Sequence, residues 1–177
     1  LSENQSAPVG GTVELSVVAV GNEPLAYQWV KDGVLMDGAT SVSLVLANLD
    51  TTDSGSYTVA VTNSAGRLES DPIVVSVIQP VAIVSQPAAA TAAIGGKAVF
   101  AVVVTGSAPV SYQWYFNGEP LAGQISAELV IENVAALGGG TYTVTATNAS
   151  NSVDSDGAEL TIQTPPIITG ISGNQQA

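Results

Sequence analysis

Carboxylates are the only abundant groups in this sequence that could do acid–base chemistry. The 177 residues include 15 of them against three cations, Lys31, Arg67 and Lys97, for a net charge of −12, with no histidine and no cysteine. Those absences remove thiolate nucleophiles, disulfides, zinc sites of the Cys/His kind and every triad built on histidine. What is left is a set of acidic pairs. Glu128 and Glu132 flank Val130, and paired carboxylates are the groups that glycoside hydrolysis uses. Strand alternation turns both acids towards water and puts Leu129 and Ile131 on the other face, so no burial raises either pKa. Asp154-Ser155-Asp156 and Glu69-Ser70-Asp71 could offer oxygens to calcium. Calcium needs more ligands in a shaped loop, and no D-x-D-x-D-G run exists here. No residue is assigned a catalytic, cofactor-binding or metal-ligating role, and the chain is read as non-enzymatic.

Composition narrows the partners. Three scattered cations cannot neutralise a phosphate backbone, which excludes nucleic acid, and they give little attraction to an anionic membrane. Apolar residues make up 46% of the chain, yet no apolar run nears the ~18 residues of a membrane span. No signal-peptide pattern opens the sequence. Polarity comes mainly from Ser, Thr, Asn and Gln, which points to a secreted or cell-surface protein.

The elements that would carry a site occur twice. A shift of 85 residues aligns Gly11 with Gly96, Pro24 with Pro109, Tyr27-Gln28-Trp29 with Tyr112-Gln113-Trp114 and Gly33 with Gly118. Further along it aligns Leu44 with Leu129, Gly55 with Gly140, Tyr57-Thr58-Val59 with Tyr142-Thr143-Val144, Asn63 with Asn148 and Pro80 with Pro165. No insertion or deletion is needed, so the chain holds two copies of one domain. Each copy reads as short strands of period two. In the first, Val13, Leu15, Val17 and Ala19 share a face, as do Tyr27 and Trp29, then Leu44 and Leu46, then Tyr57, Val59 and Val61, then Ile73, Val75 and Val77. Asp32-Gly33 and Asn117-Gly118 mark hairpin turns, since both residues of each tolerate positive φ. The fold class is all-β, two tandem sandwiches in an elongated arrangement.

On these residues each copy resembles an immunoglobulin-like domain of the I-set type. That family places a Cys on strand B, a core Trp on strand C, and a D-x-G-x-Y-x-C motif running into strand F. Val17, Trp29, Asp53-Ser54-Gly55-Ser56-Tyr57-Thr58-Val59 and Asn63 occupy those places here. In the second copy they are Val102, Trp114, Gly138-Gly139-Gly140-Thr141-Tyr142-Thr143-Val144 and Asn148. The resemblance implies Greek-key sandwiches. It also implies a structural core of Val17, Trp29, Tyr57, Val59, Val102, Trp114, Tyr142 and Val144, with the tyrosine hydroxyls bonded to nearby backbone. Trp29 and Trp114 are then anchors of the fold, not ligand platforms.

Two departures follow from the alignment. Valines stand where the family has its inter-sheet disulfide, whose loss costs about 2–5 kcal/mol, while each buried valine contributes roughly 1.5–3 kcal/mol. Such cysteine-free repeats, with wording like Ile83-Val84-Ser85-Gln86-Pro87 and Tyr112-Gln113-Trp114-Tyr115-Phe116-Asn117-Gly118, resemble those of large bacterial secreted or surface proteins. The motif Asp is Gly138 in the second copy, so that turn is expected to be looser than Asp53–Gly55.

The implied organisation is a first domain at 1–79 with its opening strand truncated, a second at 80–164, and the start of a third repeat or a tail at 165–177. Outward on strands C and F of the second copy lie Gln113, Tyr115, Thr143 and Thr145, a face suited to a protein or glycan. The first copy presents Gln28, Val30, Thr58 and Ala60 there. The expected role is a non-catalytic spacer or adhesion module of a larger extracellular protein, the alternative being an accessory module of a polysaccharide-degrading enzyme. Expected partners are neighbouring repeats of the same chain and a cell-surface protein or glycan. The first copy lacks a counterpart of Ile83-Val84-Ser85, and the tail resembles such a strand. Exchange between molecules through residues 167–171 is therefore also expected.

Overall fold

The computed structural model describes residues 2–170. Strands make up almost all of its regular structure, with one short 3₁₀ turn at Thr51–Asp53. The chain divides into two compact units. Among the described residues, unit 1 comprises 2–81 with Thr105–Val110 and Thr147–Asn151; unit 2 comprises Ala82–Val104, Ser111–Ala146 and 152–170.

Unit 1 contains β1 (Gln5–Pro8), β2 (Thr12–Ser16), β3 (Ala26–Lys31), β4 (Val34–Leu35), β5 (Ser43–Ala47), β6 (Gly55–Asn63), β7 (Gly66–Glu69) and β8 (Ile73–Ile78). One sheet runs β1-β8-β6-β3-β4 with β7 also on β6, and the other pairs β2 with β5. β1 lies parallel to β8, while β2/β5, β3/β6 and β6/β8 are antiparallel. Alternation along these strands sends one face inward. Val13, Leu15 and Val17 meet Trp29, Tyr57, Val59, Ile73, Val75 and Val77 in a single core. Trp29 stands opposite Val59 across β3/β6.

Unit 2 repeats the plan. Its strands are β9 (Ala82–Ser85), β10 (Ala90–Ala93), β11 (Ala98–Ala101), β12 (Val103–Thr105), β13 (Ser111–Phe116), β14 (Glu119–Pro120), β15 (Glu128–Ile131), β16 (Gly140–Thr147), β17 (Ser152–Asp154) and β18 (Ala158–Gln163). The larger sheet runs β10-β18-β16-β13-β14 with β17 on β16; β11 pairs with β15, and β9 with β12. The core gathers Phe100, Val102, Trp114, Leu129, Tyr142, Val144 and Leu160. Phe100 replaces Leu15 of the first copy and stacks on Tyr142, centroids 4.8 Å apart. Phe116 packs on the same tyrosine at 4.9 Å. In unit 1 the matching position is Lys31, whose ammonium lies 6.0 Å from the Tyr57 ring centre.

Local chemistry explains the hairpins. Asp32 and Asn117 both take φ of 49°, followed by Gly33 at 81° and Gly118 at 86°. Each polar residue then reaches across to strand β6 or β16. The Ser56 N–H donates to Asp32 Oδ1 at 2.8 Å, and the Thr141 N–H to Asn117 Oδ1 at 3.0 Å. An Asp and an Asn serve equally, because the bond uses an oxygen common to both.

One expectation from alternation fails. Val30 and Ala60, placed outward, are 6% and 3% exposed. Both sit on interior strands and are flanked on each side, Val30 by Leu35 and Thr58, Ala60 by Gln28 and Glu69. Cross-strand neighbours on the same face shield these side chains from water.

Candidate functional site

The eight residues assigned to the core are all buried, with Val17 at 8% the most exposed among them. Each tryptophan places its single donor on backbone, Trp29 Nε1 on Ser41 O at 3.0 Å and Trp114 Nε1 on Ser126 O at 2.8 Å. Their rings offer no face to a ligand. The Tyr57 hydroxyl donates to Asp53 O at 2.7 Å, and that of Tyr142 to Gly138 O at 3.0 Å. Burial, reinforced by the Asp53 and Asp32 charges, pushes the Tyr57 hydroxyl up to about 12. Burial likewise raises that of Tyr142.

The outward face of unit 2 divides into committed and available side chains. Gln113 Nε2 donates to Trp114 O and Leu121 O, both at 2.8 Å. Gln28 makes the matching pair, to Trp29 O at 3.0 Å and Met36 O at 2.8 Å. These glutamines therefore tie the start of the hairpin to the chain that leaves it. Thr145 Oγ1 donates to Asp154 Oδ1 at 2.6 Å. Tyr115 and Thr143, on neighbouring strands β13 and β16, are half-buried. Of the four residues, these two keep the fewest internal ties.

The acidic groups have structural partners or face water. Glu132 pairs with Lys97 at 2.9 Å, and Glu128 is exposed. Glu69 accepts from Thr58 Oγ1 at 2.8 Å. No group of three carboxylates comes together to hold a metal ion among the described residues. In the turn before β6, Asp50 Oδ1 accepts from Thr52 N at 3.1 Å while Asp53 Oδ2 accepts from Asp50 N at 2.8 Å, a reciprocal capping box. The Thr52 N–H, helped by the Thr51 hydroxyl, holds the Asp50 carboxyl below the usual range. The Ser56 N–H, with Lys31 adding to it, does the same for Asp32. The second copy has Ala135 and Gly138 at the box positions and keeps only the backbone bond, Gly138 N to Ala135 O at 2.9 Å.

Two features escaped sequence reasoning. Gln113, expected on a contact face, also carries two internal hydrogen bonds, a structural task signalled by its recurrence beside tryptophan in both copies. The second is a groove of about 730 Å³ in unit 1, walled by Val17, Leu25, Val59, Val61 and Leu68.

A family profile described as an immunoglobulin domain matches residues 1–63 and 80–148. Cell adhesion molecule DSCAML1 of Mus musculus is 28% identical over 184 residues, an alignment covering 96% of this chain and 9% of that protein. Cell adhesion molecule DSCAM of Rattus norvegicus is 28% identical over 156 residues, 79% of this chain and 8% of that one. The chain thus spans under a tenth of the length of these curated relatives. Both come from animals, so the bacterial source suggested by the repeat wording finds no support, and neither is a polysaccharide-degrading enzyme. Among solved structures, the N-terminal four Ig domains of Dscam1 isoform 8.4 match with a TM-score of 0.69 at 27% identity, over 92% of this chain and 44% of that one. A titin fragment of three Ig domains matches with a TM-score of 0.76 over 94% of this chain and 65% of that one. At 18% identity this likeness is one of fold. Two cysteine-free sandwiches, each with its tryptophan against a valine pair and its corner tyrosine in place, carry the same assignment: the chain belongs to the immunoglobulin domain family.

Proposed function

We propose that this chain is a non-catalytic adhesion or protein-interaction segment of a larger extracellular, cell-surface protein. The observation that carries the reading is the alignment of 96% of the chain with a cell adhesion molecule at 28% identity. The placement of the acidic groups supports it, because they sit in ion pairs, caps and solvent rather than facing each other across a cleft. In this reading residues 1–79 and 80–164 are successive immunoglobulin-like domains, and 165–177 is the start of a third repeat or a C-terminal tail. Neighbouring repeats of the same chain are its covalent partners.

Contact with another cell-surface protein falls on the β13/β16 face, with Tyr115 as its aromatic anchor and Thr143 beside it. An aromatic flanked by hydroxyls suits a protein partner. Biosensor measurements with the immobilised chain test this against solubilised cell-surface proteins and a panel of soluble polysaccharides. Saturable protein binding weakened about tenfold or more by Tyr115→Ala is the expected result. Polysaccharide binding abolished by the same change would overturn it in favour of an accessory carbohydrate module.

A further inference from the structure

Each repeat leaves one strand edge bare within its own sandwich. β5 and β15 pair with β2 and β11, and among the described residues no strand lies on their other side. The connections that lead into them from the β3/β4 and β13/β14 hairpins, residues 36–42 and 121–127, hold no strand of their own. The bare edge is thus set by an internal connection and occurs in both copies.

Backbone alternation aims the unused groups. The Val102 N–H donates to Ala127 O at 3.0 Å. The register then makes Phe100 with Leu129 and Ala98 with Ile131 the hydrogen-bonded pairs. The N–H and C=O groups of Glu128 and Val130 therefore point away from β11, along the open edge. Beside that edge unit 2 holds an open apolar groove of about 300 Å³, walled by Phe116, Leu121, Gln124, Ile131 and Tyr142. Leu129 and Ile131 take this inner face, and Glu128, Val130 and Glu132 the outer one. Unpaired backbone beside an apolar groove is a template for one more strand.

Charge selects the occupant. Glu128 is exposed and stands in no ion pair among the described residues, while Glu132 meets Lys97 at 2.9 Å. A second copy would bring the same two acids to this edge and a net charge of −12 with them, which opposes self-pairing. A segment with Lys or Arg on one face and apolar side chains on the other satisfies acids and groove together. The first copy has Ser43 and Ala47 in place of Glu128 and Glu132, and the cation Lys31 in place of Phe116. Its edge offers neither the acids nor the apolar wall.

We propose that the open edge of β15 takes an extended segment of a partner protein as an added strand. Its alternate apolar side chains seat between Phe116 and Ile131, and its basic ones lie beside Glu128 and Glu132. Tyr115 and Phe116 point to opposite faces of β13, so this site is separate from the face assigned to adhesion and does not depend on that reading. It is separate also from the exchange expected through residues 167–171, of which Ile171 lies outside the described residues.

Amide NMR of the full chain, titrated to millimolar with the peptide Ser-Arg-Val-Thr-Val-Arg-Ser, tests it. The expected result is saturable shifts in β15 and residues 121–124 that spare β5. A peptide with Glu in place of both Arg binds about fivefold or more weakly. Glu128→Lys, at an exposed position, weakens the Arg peptide to a similar degree. Val130→Pro does so too, because it removes an edge N–H that no ladder bond uses. Tyr115→Ala changes binding by less than about twofold. No saturable shift in β15, equal binding of the acidic peptide, or binding unaltered by Glu128→Lys would each overturn the proposal. Shifts in β15 that follow chain concentration without peptide, with a mass above the 17.7 kDa monomer, would overturn it in favour of a second copy at this edge.

Discussion

Replacing Gln113 with leucine separates a structural glutamine from a contact glutamine. The side-chain amide donates two hydrogen bonds of 2.8 Å to Trp114 O and Leu121 O. Neither carbonyl is orphaned by the change, since Trp114 O also accepts from Leu121 N and Leu121 O from Gln124 N. The loss is therefore the net worth of the two bonds, about 0.5–1.5 kcal/mol each, or about 1–3 kcal/mol together. For a domain of this size that corresponds to a fall of about 4–24 °C in melting temperature. Differential scanning calorimetry of the full chain reads it directly. Gln113→Leu should lower one transition and Gln28→Leu the other, because the first copy makes the same pair of bonds. Tyr115→Ala should lower neither by as much. A Gln113→Leu variant within about 0.5 kcal/mol of the parent would refute the structural assignment. It would return Gln113 to the contact face.

Two further outcomes follow from differences between the copies. Asp32 and Asp50 are held below the usual carboxylate range by backbone N–H donors. Their contribution is therefore complete above about pH 4 and is lost as pH falls through their folded values. The second copy has Asn117 and Ala135 at those places, so acid titration should lower the unit 1 transition first. Equal acid sensitivity of both transitions would contradict this. The turn at Gly138–Gly140 lacks the two side-chain caps of Asp53–Gly55, and its amides should exchange with deuterium faster. Equal exchange in the two turns would show that the backbone bond alone sets the opening rate.

The features legible in the sequence are those written in short-range patterns. Positive φ at Asp32-Gly33 and Asn117-Gly118 follows from residue type, and the burial of Trp29 against Val17 and Val59 follows from the resemblance to the immunoglobulin-like pattern. What alternation could not reach depends on register across strands. Val30 and Ala60 are buried by whichever side chains stand opposite them, and Gln113 closes onto Leu121, eight residues away on the far side of a turn. The capping box at Asp50 and Asp53 was hidden for another reason. Its turn is only three residues long and has no apolar periodicity to announce it.

The central proposal is that the chain is an adhesion segment, and a bead-to-cell attachment assay tests it most directly. Beads carrying the parent chain should attach to animal cells in a saturable way that excess soluble chain inhibits. Beads carrying Tyr115→Ala, folded to the same melting temperature, should attach about tenfold less well. Attachment no better than that of uncoated beads, or equal attachment by parent and variant, would contradict the account.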